Sequence, residues 1–301
     1  MRTIGLPRGL YHYYDGPLWE AFFSELGFEV LVSQPTNRSV FERGLRIAYS
    51  ELCLPVKVFI GHVASLAERV DCLFIPRLIR VEQGERFTCP KFIGLPDLVK
   101  ASFSRLPPIV SVSIDLKKRS MSRLLGDLGR RLGVKRGRVQ RATRAACEQL
   151  GERMKSPGDR EEDGGNGLRI GVVGHPYIVG DRYLSMDLVG HLHRLGARVL
   201  IPEVEDAVID NILRPLAEIS WSYERRLVGE LGWLSHDVDG AILALSFGCG
   251  PGSVIAEIAQ RELLSGRRYP LLTLVLDENT SATALITRLE SFCDMVRMQK
   301  R

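Results

Sequence analysis

The chain has 301 residues, of which 45% are hydrophobic and 26% are charged, and its formal net charge is +5. This length accommodates two domains with separate cores, and the composition is that of a globular protein. No apolar run reaches the roughly 18 residues that a membrane span requires, and the first residues do not resemble a signal peptide. Six cysteines without a secretory signal argue against a disulfide scaffold, so we expect a cytoplasmic protein that does not contact a membrane.

The same succession of strands and helices occurs twice along the chain. Residues 3–32 and residues 168–201 each contain an apolar strand, a loop, a helix that ends at Leu-Gly and a second strand. A third strand and a fourth strand that ends in aspartate also appear twice, at residues 70–75 and 109–115 and at residues 238–243 and 271–277. Apolar β-branched runs that alternate with helical segments are typical of parallel sheets covered on both faces.

This repeat predicts an α/β fold of two similar lobes, each a roughly four-stranded parallel sheet flanked by helices. We assign residues 1–116 to the N-terminal lobe and residues 168–301, with a terminal helix over about 280–298, to the C-terminal lobe. Residues 117–167 form a basic helical segment followed by a flexible linker, which is rich in glycine and polar residues from position 156.

The basic segment raises the possibility of nucleic-acid binding. Residues 117–146 contain eleven lysines and arginines and a single acidic residue, Asp127. The segment lacks interleaved aromatic residues, and its charges spread around a helix instead of forming one stripe. A solvated helix or a docking face for a partner protein is therefore favoured, and nucleic-acid binding is the less favoured interpretation.

Three of the six cysteines are followed within two residues by proline, and these are Cys53, Cys89 and Cys249. Proline suits the first turn of a helix, so such a cysteine stands at a helix start or a tight turn. The free N–H groups and the dipole at a helix start favour a thiolate. Three thiolates in a reducing compartment predict a soft metal or an iron–sulfur cluster. We expect the remaining cysteines to be packing residues, namely Cys72, Cys147 and Cys293.

The order of the elements predicts where the three cysteines lie relative to the sheet of their own lobe. Cys89 and Cys249 follow corresponding strands, and ligands of open parallel sheets bind at the carboxyl ends of strands. Cys53 reaches this edge if its loop folds over, so a ligand in the interlobe cleft would take two cysteines from one lobe and one from the other. No CxxC pair is present, and from the residues alone a metal site and a purely structural role are about equally favoured. The glycines around Cys249 allow backbone N–H groups to approach its sulfur.

Several motifs carry a resemblance to a known family. The strongest are residues 52–57, 89–92 and 247–251, and the others are residues 4–8, 74–77, 94–97, 174–177 and 287–290. In the order of these motifs the chain resembles the 2-hydroxyacyl-CoA dehydratase D-component-like family, in its acyl-CoA dehydratase activase-related branch. The interlobe segment is the weakest match, and Asn279 stands where the family pattern has histidine.

The resemblance implies a cofactor and a partner. Relatives hold a [4Fe-4S] cluster, or a double-cubane [8Fe-9S] cluster, through three cysteines per cubane with one iron site left open, and Cys53, Cys89 and Cys249 fall on the ligand motifs. An ATP-dependent activase donates a low-potential electron, and in the dehydratases the substrate is a CoA thioester. Because this chain has no P-loop or other phosphate-binding glycine pattern, ATP hydrolysis is expected on the partner. The resemblance is consistent with two kinds of assembly, a homodimer and a complex with a related second subunit.

Five polar residues near the motifs are candidates for a supporting role. Arg8, His175 and Tyr177 each follow the first strand of a lobe and are expected to face the cleft, where they would tune a cluster or bind an anion. Alternatively, Arg8 and His175 satisfy loop carbonyls. Lys57 and Lys91 either offset the negative charge of a thiolate-ligated cluster or are solvated.

The sequence therefore predicts an iron–sulfur protein that accepts electrons from an activase and reduces a small molecule, as an ATP-activated reductase or a dehydratase-like component. The main alternative is a scaffold or partner subunit of an activase or dehydratase complex that lacks a cluster. A simple zinc site is a further alternative, although three thiolates spread over two lobes suit a larger cluster better.

Overall fold

The structure is a computed structural model of the chain, and it describes residues 2–155, 160–162, 167–216, 218–263 and 269–300. The chain divides into two compact units. Unit 1 comprises Met1–Ser156 with Ser220–Ser222, and unit 2 comprises Pro157–Ile219 with Tyr223–Arg301. Most of the sequence predicted to form a flexible linker, at 156–159 and 163–166, lies outside the described residues.

Unit 1 contains six strands and seven helices among the described residues. In chain order they are β1 (Thr3–Leu6), α1 (Tyr11–Leu26), β2 (Glu29–Val32), α2 (Arg38–Ile47), α3 (Leu54–Leu66), β3 (Cys72–Phe74), β4 (Arg77–Arg80), α4 (Pro90–Ile93), α5 (Leu95–Ser102), β5 (Ile109–Val110), β6 (Ser113–Asp115), α6 (Met121–Arg131) and α7 (Arg136–Lys155).

The main sheet of unit 1 is parallel and has the strand order β2-β1-β3-β5. The prediction of one fourth strand over residues 109–115 is wrong, because β5 pairs with β3 whereas β6 pairs with β4 in a separate two-stranded ladder. Hydrogen bonds between the two neighbouring segments continue across this division, since the N–H groups of Ile75 and Arg77 donate to the carbonyls of Val110 and Val112 at 3.0 and 2.9 Å. The buried, bidentate Arg80–Asp115 ion pair, at 2.8 and 2.7 Å, holds the second ladder together.

Aromatic side chains of α1 form the core of unit 1. Trp19 and Phe23 pack on Phe74 of β3 with ring centroids 4.4 and 4.8 Å apart. The hydroxyl of Tyr11 donates a hydrogen bond to the Phe74 carbonyl at 2.8 Å, so its burial leaves no unsatisfied donor. The helix begins at Tyr11, and it is kinked at Asp15, ahead of Pro17.

Helices α2 and α3 cross at two glycines. A Cβ on Gly61 would overlap the carbonyl oxygen of Val40, and a Cβ on Gly44 would overlap the carbonyl oxygen of Lys57. Backbone therefore lies directly against backbone at this crossing, which only glycine permits. Because α3 is a continuous helix, the crossing also fixes the position of its N-terminus, where Cys53 lies.

The basic segment forms an amphipathic helical hairpin within unit 1. Apolar side chains of α6 and α7 are buried, whereas all eleven basic residues of 117–146 are exposed. Some of these charges are paired locally, since Arg119 and Arg130 both contact Asp127. Helix α7 packs on α1, and Arg138 donates to the carbonyl of Glu25 at 3.0 Å. The structure thus agrees with a solvated basic face on a packed hairpin.

A short piece of chain distant in sequence completes unit 1. Trp221 pairs with Phe87 as an isolated parallel bridge. The Phe87 N–H donates to the Ser220 carbonyl, and the Ser222 N–H donates to the Phe87 carbonyl, both at 3.0 Å. These two hydrogen bonds lie just before Cys89 in the sequence and restrain the loop that leads to it.

Unit 2 contains β7 (Arg160–Glu162), β8 (Arg169–Gly174), α8 (Pro176–Val179), α9 (Leu188–Arg194), β9 (Arg198–Ile201), α10 (Asp206–Leu213), α11 (Ser222–Leu234, which starts in unit 1), β10 (Gly240–Ser246), α12 (Gly250–Ile258), a π-helical turn (Ala259–Leu263), β11 (Leu271–Leu276) and α13 (Ala282–Lys300). Its sheet has the order β11-β10-β8-β9-β7, with four parallel strands and the antiparallel edge strand β7. Strand β7 falls within the segment that we predicted to be linker.

The predicted α/β architecture is confirmed, with a parallel sheet flanked by helices in each unit. Strand β10 is buried along its whole length, as expected for the centre of a parallel sheet. The terminal helix α13 packs in unit 2, where Phe292 and Val296 cover Gly240. Among the described residues, no helix has the length and hydropathy to cross a membrane.

The glycine crossing yields a test of stability. We expect Gly61→Ala to lower the free energy of unfolding by about 1–3 kcal/mol or more, because the added methyl group has no space. Gly137→Ala is the matched control, since Gly137 is an exposed helical glycine with no atom near its Cβ position, and we expect unchanged or slightly higher stability. Urea unfolding measures both values, and equal stability of the two variants would contradict this account of the crossing.

Candidate metal centre

Each of the three proline-linked cysteines occupies the N-cap of a helix. Cys53 precedes α3, Cys89 precedes α4 and Cys249 precedes α12, and in every case proline is the first or second helical residue. The predicted placement at helix starts is therefore confirmed. Cys53 and Cys89 belong to unit 1, whereas Cys249 belongs to unit 2.

Cys53 and Cys89 lie within electrostatic range of one another. Burial raises the pKa of the Cys53 thiol to about 11; a backbone hydrogen bond from Val56 lowers it, the charge on Cys89 raises it further and Lys91 lowers it. The expectation that the helix start makes Cys53 a thiolate is wrong for the free protein, since loss of hydration outweighs the favourable dipole. A bound metal ion would supply the positive charge that deprotonates this thiol.

Cys249 lies in a turn that glycine makes possible. Gly248 has a φ of 76°, in the left-handed region, and the turn directly follows β10. The sulfur of Cys249 accepts a hydrogen bond from the Gly252 N–H at 3.3 Å. A Cβ on Gly252 would lie 3.0 Å from that sulfur, so the predicted close approach of backbone N–H to sulfur is confirmed and depends on this glycine.

Two buried side chains of unit 2 accompany Cys249. His175 is the N-cap of α8, Glu224 lies near the start of α11, and both are 2% exposed. One donor atom each of His175, Glu224 and Cys249 lie within 4.8 Å of one another, and the Nε2 atom of His175 lies 3.7 Å from Oε1 of Glu224. This trio is the group of potential metal ligands that the described residues bring together.

Burial sets the charge states of His175 and Glu224. It lowers the pKa of His175 to about 3 and raises the pKa of Glu224 to about 7. The imidazole is therefore neutral at pH 7, and its contact with Glu224 is not an ion pair. A neutral imidazole is the form that binds a metal. The rings of His175 and Tyr177 are stacked, with centroids 4.8 Å apart and planes 11° apart, which fixes the orientation of the imidazole.

The other predicted supporting residues have varied environments. Arg8 donates from Nε to the Ser33 carbonyl at 3.0 Å, which matches the alternative that it satisfies a loop carbonyl. Lys57 is 5% exposed, so the alternative of a solvated lysine is wrong for it, whereas Lys91 is partly exposed and acts on Cys53.

The remaining cysteines behave as packing residues. Cys72 and Cys293 are buried and Cys147 is partly buried, and burial raises the pKa of all three thiols. At the position that departs from the family pattern, the Asn279 N–H donates to a carboxylate oxygen of Asp277 at 2.9 Å, so Asn279 forms part of a local turn.

Glu224 was missed in the sequence analysis. It lies in a helix among other charged residues, Arg225 and Arg226, and only the folded chain shows that its carboxylate is buried. His175, in contrast, shares a signal with the cysteines, because Pro176 follows it directly.

The fold and these side chains define an α/β protein of two units that presents thiol and imidazole groups at helix N-termini. A family model described as "CoA enzyme activase uncharacterised domain (DUF2229)" matches residues 3–204, which is more than half of the chain. The chain belongs to this family. The match supports the activase-related part of the resemblance seen in the sequence.

Other comparisons add little. No curated protein matches the chain. One solved structure, of the SBP FpvC from Pseudomonas aeruginosa in complex with Mn²⁺, is 14% identical and covers 99% of this chain and 98% of that chain, with a TM-score of 0.27. A structural similarity this low supports no inference about fold or function.

The environment of Cys53 yields a prediction about thiol reactivity. We expect Lys91→Ala to slow alkylation of Cys53 by iodoacetamide at pH 8.5, because loss of the positive charge raises the thiol pKa further. Cys89→Ala should accelerate it, because a negative neighbour is removed. Both changes should stay below about tenfold, which corresponds to one pKa unit. Mass spectrometry of the peptide that contains Cys53 measures the rate.

The exposed Lys135, on the basic hairpin, provides the control for charge removal, and Lys135→Ala should leave the Cys53 rate unchanged. Equal rates in the Lys91 and Lys135 variants would show that Lys91 does not act on this thiol.

Proposed function

We propose that this protein binds a [4Fe-4S] cluster through Cys53, Cys89 and Cys249, accepts low-potential electrons from an ATP-dependent activase and reduces a small-molecule substrate. The single observation that carries the proposal is the shared placement of the three cysteines. All three are N-cap residues with proline in the first helical turn, and this arrangement is found for none of the other three cysteines.

The thiol environments support cluster ligation. Cys53 and Cys89 lie within electrostatic range of one another, and both are partly buried, as is Cys249. Lys91 provides a positive charge close to Cys53, which would offset part of the negative charge of thiolates around a cluster. Gly252 donates its N–H to the Cys249 sulfur, and hydrogen bonds of this kind tune the potential of iron–sulfur centres.

When bound, the cluster would supply one-electron chemistry, and ligation by three cysteines leaves one iron site for a substrate or solvent. The residues of the chain fit such a group, since thiolates are the preferred ligands of iron–sulfur clusters. Their role in the proposal is to hold the group at fixed helix starts and to limit its contact with water.

Family membership supports the partner in this proposal. The family is described as a CoA enzyme activase domain, and the chain lacks a phosphate-binding glycine pattern of its own. We therefore assign ATP hydrolysis to a separate activase. The narrower assignments, a 2-hydroxyacyl-CoA dehydratase-like reaction, a CoA thioester substrate and a double-cubane cluster, rest on the resemblance of the sequence motifs.

Anaerobic reconstitution with iron and sulfide tests the proposal. We expect about four irons per chain in the wild-type protein, and a loss of most of this iron in Cys53→Ala, Cys89→Ala and Cys249→Ala. Iron and sulfide analysis gives the stoichiometry, and EPR of the chemically reduced protein identifies the cluster. About eight irons per chain would favour the double-cubane form.

Cys72→Ala is the matched control, because Cys72 is a buried cysteine of unit 1 that begins β3. It should retain the iron content of the wild type. A wild-type protein that takes up no iron, or a loss of iron confined to the Cys72 variant, would overturn the proposal and favour a scaffold or partner subunit without a cluster.

A further inference from the structure

Three side chains with different donor atoms converge within unit 2. Cys249 offers sulfur, His175 nitrogen and Glu224 a carboxylate oxygen, and these atoms all lie within 4.8 Å of one another. They come from three separate elements, the N-caps of α12 and α8 and the first turn of α11. Their convergence is therefore a property of the tertiary fold and not of local sequence.

The carboxylate of Glu224 is a second, independent observation. The residue is 2% exposed, and its Oε2 atom has no hydrogen-bond partner in the part of the chain that the structure describes. A buried carboxylate oxygen without a partner is costly, and such atoms in native proteins usually bind an ion, water or another polar group. A cation between Glu224, His175 and Cys249 would satisfy this oxygen.

We infer that Cys249, His175 and Glu224 together bind a single divalent transition-metal ion of borderline softness, of which Zn²⁺ is the representative. One sulfur, one imidazole nitrogen and one carboxylate oxygen suit such an ion, whereas Mg²⁺ and Ca²⁺ prefer oxygen ligands alone. The stacked ring of Tyr177 holds the imidazole in a fixed orientation, as outer groups of metal sites do.

The distances between the donor atoms agree with the binding of a single ion. Tetrahedral ligation by zinc places neighbouring donor atoms roughly 3.3–3.5 Å apart, and the Nε2 atom of His175 lies 3.7 Å from Oε1 of Glu224. The sulfur of Cys249 lies within 4.8 Å of the donor atoms of the other two residues. Three protein ligands leave a fourth position for water or an anionic ligand, which is the arrangement of catalytic zinc sites.

This inference goes beyond the proposed cluster and does not require it. The ion uses neither Cys53 nor Cys89, but it shares Cys249 with the cluster, so the sulfur serves one of the two at a time. When the protein holds no cluster, unit 2 thus has a metal site of its own.

Titration of the full-length, cluster-free protein with Co²⁺ under anaerobic conditions tests the inference. Co²⁺ is a spectroscopic substitute for Zn²⁺, and we expect one ion per chain, visible tetrahedral bands and a near-ultraviolet sulfur-to-cobalt charge-transfer band. Zn²⁺ should displace it. Cys249→Ala should abolish the charge-transfer band, and Glu224→Gln, which keeps the shape of the side chain, should weaken binding at least about tenfold.

The double variant Cys53→Ala/Cys89→Ala is the control and should bind Co²⁺ as the wild type does, with the same spectrum. Circular dichroism verifies that each variant is folded, and His175→Gln provides a second ligand variant if the Glu224 variant does not fold. Absence of Co²⁺ binding by the wild type, a charge-transfer band that persists in Cys249→Ala, or a band lost from the double variant would each overturn the inference.

The two proposals fail in different ways. The double variant Cys53→Ala/Cys89→Ala removes two of the proposed cluster ligands and keeps the unit 2 site. Iron uptake and Co²⁺ binding can therefore be measured separately in this one variant. Loss of iron with retained Co²⁺ binding supports both proposals. Failure of the wild type to form a cluster would leave the Co²⁺ result unaffected.

Discussion

A proline inside the first turn of a helix is the constraint on which the positions of the candidate metal-binding side chains depend. Its fixed φ suits a helix start, and its missing N–H would be unpaired there in any case. Such a proline follows Cys53, Cys89 and Cys249, and it follows His175 as well. In all four places the preceding N-cap residue carries a side chain able to bind a soft or borderline metal, so the backbone determines where each ligand atom stands.

Two opposing effects act on a thiol at such a position. The helix start favours a negative charge, whereas removal from water favours the neutral form. For Cys53 the second effect is larger, and the pKa rises to about 11. The free protein therefore holds this candidate ligand as a thiol, and binding of a metal there would release a proton. In unit 2 the same loss of hydration keeps His175 neutral, and it raises the pKa of Glu224 to about 7.

Local features of the site and the fold class could be predicted from the sequence, because they depend on short-range rules. Cysteine followed by proline predicted helix starts at Cys53, Cys89 and Cys249, and apolar runs alternating with helices predicted the parallel sheets. The division of residues 109–115 into two strands was not predicted, because it depends on which strand each half pairs with in the folded unit. The burial of Glu224 was also not predicted, since it arises from the folding of the chain around a helix that is rich in charged residues.

The glycine contact between α2 and α3 restricts how the chain can change in length. Gly61 is held against the backbone of Val40, and the helix runs without interruption from there back to its start after Cys53. Each residue of an α-helix turns the chain by about 100°. An insertion or deletion of one residue between Cys53 and Gly61 would therefore rotate the thiol to another side of the helix. The spacing between these two residues should tolerate substitutions but not changes in the number of residues.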